Sequence, residues 1–319
     1  MSDYGNILYH LEACKKAWES KDYLNAAINA YWCVQYCEQG EPYGISIEEL
    51  RNSEYQARKI YIKASKKFRN SILSKTTFIY GTICPKLLWL YKNKYNLRKV
   101  SENTQRKFDA GHNIGYLAQS LFPNGIDASA FDSDRIIDGS KISLPFSLKQ
   151  QLWTTQTQKL FKDNTVYEAA FVYDDVFAAV DILNKTGFGH IAYEVKCSDA
   201  ITETFLKDCA LQYYVISKNC KLDDFCLIYL NRDYLEEAQI PLDKINVSNI
   251  DIRRLFKIES VLSKILPLQV YISENIKVCK SILKKGEPSI ATGSQCDTPY
   301  ECMYKQYCSH SLYDDFGIW

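Results

Sequence analysis

The apolar positions of the first 70 residues recur at helical spacing. Leu8, Leu11, Ala17 and Trp18 mark one stretch, and Ala26, Ala27, Ala30, Tyr31 and Val34 mark another. Between them lies Ser20-Lys-Asp-Tyr23, so the pattern predicts two helices and a short turn. Residues 44–70 predict a third, charged helix. Around Ser71–Lys75 the character changes. Residues 77–85, Thr-Phe-Ile-Tyr-Gly-Thr-Ile-Cys-Pro, predict a short extended piece and a turn, and residues 86–95 a helical turn rich in Leu and Trp. Residues 102–121 predict a helix stopped by Pro123. Loop and short extended pieces follow over 124–145, then helical character over 146–162.

The centre carries the clearest alternation. Tyr167 to Tyr173 predicts a strand, Asp174-Asp175 a turn, Val176 to Leu183 a second strand, and His190 to Lys196 a third. A helix follows over about 203–218, then a wholly apolar fourth strand over 224–231. The order helix, three-strand meander, helix, strand predicts a mixed α/β fold. Residues 249–285 predict one or two long helices interrupted near Pro267, which lead into a loop with three cysteines. Residues 1–72 therefore form a helical extension and 73–319 a second domain. The helical hairpin at the start resembles one tetratricopeptide unit. A single such hairpin cannot bury its own apolar face, so it must pack on a neighbour or dock a protein partner.

Composition narrows the classes. The 39 Lys+Arg and 38 Asp+Glu leave a net charge of +1, so no global basic field coats nucleic acid. Charged residues at 24% and apolar residues at 46% suit a folded globular chain. No apolar run reaches the roughly 18–20 residues needed to cross a bilayer, and the start lacks the features of a signal peptide. These observations predict a cytoplasmic protein without a membrane partner. Local groups such as Lys63, Lys66, Lys67 and Arg69, or Lys277, Lys280, Lys284 and Lys285, can meet phosphates or simply form solvated helix faces.

Twelve cysteines are then the anomaly, because a reducing compartment disfavours disulfides. Cys14, Cys33, Cys37, Cys209, Cys226 and Cys279 lie in apolar runs and read as small core hydrophobes. Cys296, Cys302 and Cys308 recur every six residues in a Gly- and Pro-containing segment that makes a poor core. Three thiols need a fourth partner to close a metal or cluster site. Cys84, in Gly-Thr-Ile-Cys-Pro-Lys, has a similar turn-like setting. Spacing alone leaves both ligand and core readings open. The lone histidines His10, His190 and His310 read as surface or satisfied side chains.

Asp181 and Glu194 interrupt the apolar second and third strands. A carboxylate there costs several kcal/mol unless a cation meets it. Hard oxygen ligands suit Mg²⁺ or Mn²⁺. Lys196 lies two residues beyond Glu194 and so on the same strand face. Two carboxylates, a divalent cation and an ammonium suit phosphodiester hydrolysis. Glu168 on the first strand can add an outer carboxylate. A structural salt bridge between Lys196 and one carboxylate is the plainer alternative.

Asp181, twelve intervening residues and Glu194-Val195-Lys196 resemble the PD-(D/E)XK nuclease superfamily. The finer likeness is to its branch of CRISPR-adaptation nucleases and recombination helicase-nuclease domains. Within that branch the stretches Cys84-Pro-Lys-Leu-Leu-Trp-Leu90, Leu121-Phe-Pro-Asn-Gly125 and Cys296 to Cys302 are similar to an uncharacterised bacterial family. The resemblance covers about residues 74–310 and implies a restriction-endonuclease-like core. It implies a deoxyribonuclease, of exonuclease type, acting on DNA. Asp181, Glu194 and the Val195 carbonyl would be metal ligands, with Glu168 as a further one. Lys196 would be the catalytic lysine, and Gln212 would position water or DNA. Cys84 with Cys296, Cys302 and Cys308 would hold a 4Fe-4S cluster, with zinc as the alternative occupant. Two departures stand out. Relatives carry Gly-x-x-x-His on the helix before the meander, whereas here Gly111-His-Asn-Ile-Gly115 puts glycine at the histidine position. Both gaps in the cysteine triplet hold five residues, whereas relatives have a shorter first gap. The missing histidine also admits a nuclease-like binding module with weak or no cleavage, acting in a nucleic-acid complex.

Overall fold

The computed structural model describes residues 3–38, 46–99, 113–130, 134–137, 140–143, 146–240, 245 and 250–309. Three helices open the chain: α1 (Asp3–Glu19), α2 (Tyr23–Glu38) and α3 (Ile47–Ser71). Strand β1 (Leu73–Ser74) leads into α4 (Lys75–Ile83) and α5 (Pro85–Asn93), and residues 113–119 form α6. Three short strands follow, β2 (Ile126–Asp127), β3 (Asp134–Ile137) and β4 (Ser140–Ser143), then α7 (Phe146–Leu160). The meander is β5 (Val166–Tyr173), β6 (Val176–Lys185) and β7 (His190–Lys196). After it come α8 (Glu203–Ile216), β8 (Leu222–Leu230), α9 (Arg232–Glu237), α10 (Ile252–Leu255), β9 (Phe256–Ser260), α11 (Leu262–Ile265) and α12 (Gln269–Lys284).

The chain divides into two compact units, residues 1–72 with 130–155, and residues 73–129 with 156–319. In the first, α1 and α2 form the hairpin their periodicity predicts, and α3 supplies the surface that the hairpin alone lacks. Ile7, Leu11, Cys14, Ala30, Cys33, Val34, Cys37 and Ala57 make one core, and Ala26, Ala27 and Ala64 a second. Alanine at the α2–α3 contact lets the helices approach closely.

The second unit is a mixed α/β structure on a seven-stranded sheet. Its strands run in the order β2-β5-β6-β7-β8-β9, with β1 pairing β6. The meander is antiparallel, whereas β7 and β8 are parallel and joined by α8. Asp174 and Asp175 both have positive φ, as a two-residue hairpin turn requires, and Lys280 clamps both carboxylates. One sheet face carries Ile182, Ile228 and Leu230 into a cluster with Ile114, Leu117 and Ala118 of α6. The other face receives α8, which packs on β5, β6 and β8 and is itself covered by α4 and α12.

Two predicted elements are corrected. Residues 77–85 are not extended: residues 75–83 are helical. Ser74 and Thr77 form a reciprocal capping box, which satisfies the first free N–H groups and starts a helix despite its β-branched residues. Gly81 is required where α4 crosses α12, because a Cβ there would overlap Cys279 Sγ. Residues 249–285 are not all helical. Phe256-Lys-Ile-Glu-Ser260 forms the edge strand β9 on β8, its alternation overlooked among flanking helical spacings. The start of the helix predicted over 102–121, with Gly111 and His112, lies outside the described residues, as does His310. No helix among the described residues is long and apolar enough to cross a membrane.

The capping box gives a direct check. Ser74→Ala is expected to cost about 1 kcal/mol. It should lower the melting temperature by roughly 2–4 °C. Ser74→Asp, which also caps, should restore most of the loss. Thermal denaturation of the three proteins reads this, and an unchanged Ser74→Ala melting temperature would deny the cap its role.

Candidate active site

Strand register builds the site. Ile182 pairs with Tyr193, so the next position sets Asp181 opposite Glu194. Tyr167 pairs with Ile182 and Ala169 with Val180, so Glu168 lies opposite Asp181. Three carboxylate residues thus occupy one row across three neighbouring strands. The backbone is irregular in that row. Glu168 has a φ of 51°, in the left-handed region that a glutamate rarely adopts. The β6–β7 ladder stops at Ile182, and the Val195 N–H donates instead to Asp181 Oδ2 at 2.6 Å. The side chain of one acidic residue thereby replaces a missing ladder carbonyl.

Alternation then sorts the neighbours. Ile182, Tyr193 and Val195 belong to the apolar cluster with α6, so Asp181, Glu194 and Lys196 belong to the opposite face, under α8. Lys196 Nζ lies 2.6 Å from Glu194 Oε1 and 2.5 Å from Asp208 Oδ2 on α8. A second lysine joins them. Lys75, the first residue of α4, places Nζ 2.7 Å from the same Glu194 Oε1 and 3.8 Å from Asp208 Oδ2. Lys75 and Asp208 are invisible to sequence reasoning. Lys75 sits in a polar Ser-Lys-Thr-Thr run, and Asp208 reads as one more polar helix position. Gln212 follows Asp208 by one helical turn and is fully buried, with neither amide atom hydrogen-bonded.

The electrostatics follow from this crowding. Burial alone would raise the Glu194 carboxyl, but Lys196 and Lys75 outweigh it and hold the group at about 2. Burial would lower both ammonium groups, yet Asp208 and Glu194 keep each above the ordinary lysine range. At Asp181 the same lysines are outweighed: burial and the Glu194 carboxylate push it well above the usual carboxylate range. Glu168 is pushed to about 7, by burial first and then by Glu194. Asp127 adds to that repulsion from the β2 edge. It is delivered there by Leu121-Phe-Pro-Asn-Gly125, where Asn124 has positive φ and Gly125 lies against the Tyr167 ring. The Tyr167 hydroxyl donates to the Phe122 carbonyl and accepts from the Gly125 N–H, which ties this loop to β5.

The donor set suits a hard divalent cation. Glu194 Oε2 and Asp208 Oδ1 are buried without a hydrogen-bond partner, and Asp181 gains from any positive charge beside it. Among the described residues, however, no three Cys, His, Asp or Glu side chains converge tightly enough to grip an ion as they stand. Two ammonium groups hold the acidic oxygens instead. Gly115 lies on α6, whose buried residues join the opposite face, and a Cβ built there would meet nothing within 4 Å.

The four cysteines set apart by their setting line a single pocket. Cys84, Cys296, Cys302 and Cys308 line it together with Leu87 and Tyr304. Cys84 stands at the junction of α4 and α5, extended before Pro85, which starts α5. Side-chain contacts hold the C-terminal loop near α5. Lys94 Nζ reaches Glu287 Oε2 at 2.9 Å and the Tyr307 hydroxyl at 2.6 Å, and Trp89 Nε1 donates to the Lys285 carbonyl. Burial raises the Cys308 thiol to about 11 and also raises Cys302. Cys14, Cys33, Cys37, Cys209, Cys226 and Cys279 are buried, Cys197 is exposed and Cys220 is half-buried. His190 is buried with Nε2 bonded to the Phe161 carbonyl, and His10 bonds Asn29.

Set against known family models, curated proteins and solved structures, the chain matches none.

The Glu168 shift fixes a pH dependence. Its folded pKa lies above its ordinary value, so the fold favours the protonated form. That contribution is complete below about 4.5 and is lost as pH rises through about 7. Glu168→Gln mimics the protonated carboxyl. In metal-free protein it should match the wild type at pH 4.5 and melt a few degrees higher at pH 8. An equal difference at both pH values would remove Glu168 from the acidic row.

Proposed function

We propose that the chain is a divalent-metal-dependent nuclease that hydrolyses DNA phosphodiester bonds on a restriction-endonuclease-like, PD-(D/E)XK core, and that it carries a structural 4Fe-4S cluster. The observation that carries the reading is the facing of Asp181 and Glu194 across β6 and β7, with Lys196 on the same face. Asp181, Glu194 and the Val195 carbonyl would hold Mg²⁺ or Mn²⁺, with Glu168 as a further oxygen ligand. A divalent ion there supplies Lewis acidity to the phosphate and lowers the pKa of water bound to it. The chain's own residues do the rest. Asp181 and Glu194 would fix where the ion sits relative to the sheet. Lys196 keeps its proton and offers it to charge that develops on phosphate oxygens. Gln212, with both amide atoms free, can orient water or a phosphate oxygen.

For the cysteines, the lining of one pocket by all four thiols supports a shared occupant, a 4Fe-4S cluster in this reading, with zinc as the alternative.

Wild-type protein with Mn²⁺ should cleave DNA strands. Asp181→Ala and Lys196→Ala should each lower the rate by roughly 10²–10³ or more. Equal rates in all three would end the nuclease reading. Glycine at position 115, where the resemblance expects histidine, motivates the second reading, a nuclease-like binding module, which predicts DNA binding that survives Asp181→Ala and no turnover with any metal.

Anaerobic purification followed by visible absorbance and iron analysis tests the pocket. A brown protein whose colour is lost in Cys302→Ser is expected. A colourless protein holding one zinc would replace the cluster with a zinc site.

A further inference from the structure

Glu194 Oε1 accepts from two ammonium groups at once, Lys75 at 2.7 Å and Lys196 at 2.6 Å. The two are not equivalent. Lys196 is anchored on both sides, by Glu194 and by Asp208 at 2.5 Å, and its side chain is 16% exposed. Lys75 has one short contact, reaches Asp208 only at 3.8 Å, and is 30% exposed. It is therefore the ammonium nearer solvent and the easier one to displace. The remaining Glu194 oxygen is buried and unbonded, so the carboxylate still lacks part of its cationic partner.

We infer that Lys75 is a substrate-binding residue that stands in for the cation on Glu194 until metal and substrate arrive, and then binds a phosphate of the nucleic acid. The inference rests on the metal-site reading above and adds to it a residue outside the Asp/Glu-x-Lys pattern. When a divalent ion takes Glu194, like-charge repulsion drives the less anchored ammonium away from the carboxylate. Lys75 begins α4, a nine-residue helix whose positive dipole end also favours an anion, so the displaced ammonium would meet an incoming phosphate there. One residue thus lowers the cost of four crowded carboxylates in the empty site and gives a phosphate contact in the filled one.

The test separates this role from a structural one by reading two affinities in opposite directions. Mn²⁺ binding is followed by calorimetry, and binding of a short oligodeoxynucleotide is followed in Ca²⁺ at several salt concentrations. Lys75→Gln should bind Mn²⁺ roughly tenfold more tightly, because a competing charge is gone. It should bind the oligonucleotide roughly ten- to a hundredfold more weakly. Its log–log salt slope should fall by about one. Lys75→Arg should restore oligonucleotide affinity and the slope. If Lys75→Gln weakens Mn²⁺ binding in step with its melting temperature, Lys75 is only a structural counter-ion and the inference is overturned. If both affinities are unchanged while the wild type binds both probes, the inference fails and the metal site stands. A wild type that binds neither Mn²⁺ nor oligonucleotide overturns both.

Discussion

A carboxylate that is 2% exposed cannot remain ionised without cations, and Glu194 is such a group. Its position is imposed by the fold, since β7 pairs with β6 on one side and β8 on the other. The cations must therefore come to it. Lys196 comes along the same strand, and Lys75 comes from the β1–α4 junction, 119 residues away in sequence. Asp208 then balances the pair from α8. Removing one member of such a buried network is far more costly than the network is stabilising, because the charge left behind stays buried. The arrangement is thus a weak source of stability and a strong source of specificity. It fixes where the start of α4 and the middle of α8 sit on the sheet.

The sheet supplies the reason that acids can gather there. Regular ladders would leave no room for extra ligands. Here β6 pairs with β7 only from Ile182 onward, and its start pairs with β1 at Val176 and Phe177 instead. Asp181 lies in the interval, bonded through its side chain to the Val195 N–H. Glu168 lies beside it in a left-handed backbone conformation. The acidic row therefore coincides with a local failure of sheet geometry, a common place for strain to collect at a functional site.

The meander was legible because β5, β6 and β7 alternate cleanly, so Asp181 and Glu194 show as charged intrusions among apolar neighbours. Lys75, Asp208 and Asp127 had no such background. Each lies in a polar or mixed run, and long-range packing alone brings it to the row. The α4 segment hides its helix for a related reason. Its apolar and β-branched residues favour an extended reading, and the deciding feature is a reciprocal hydrogen bond between Ser74 and Thr77 rather than a periodicity. Strand β9 carried the right alternation over only five residues, too few to stand out between helical spacings. The cysteines sorted themselves by company: six within apolar runs are buried, and the four in turn-like settings line one pocket.

That pocket and the acidic row are not separate elements of the fold. Lys75 begins α4 and Cys84 caps its other end, so nine residues, roughly 14 Å of helix, join them. The helix has little freedom to adjust. Its start is fixed by the Ser74–Thr77 box, its middle lies against α12 at Gly81, and its end is held by the turn into Pro85. The opposite wall of the pocket is a loop more than 200 residues further along, held by Lys94, Glu287 and Tyr307. These contacts are polar and partly exposed, and each contributes little alone. A group bonded to all four thiols would replace weak contacts with covalent-strength ones. It would also release protons from thiols that burial keeps protonated, so its binding would strengthen as pH rises. The most constrained end of α4 would then be the one remote from the acidic row, leaving Lys75 at the end where its side chain alone has to move.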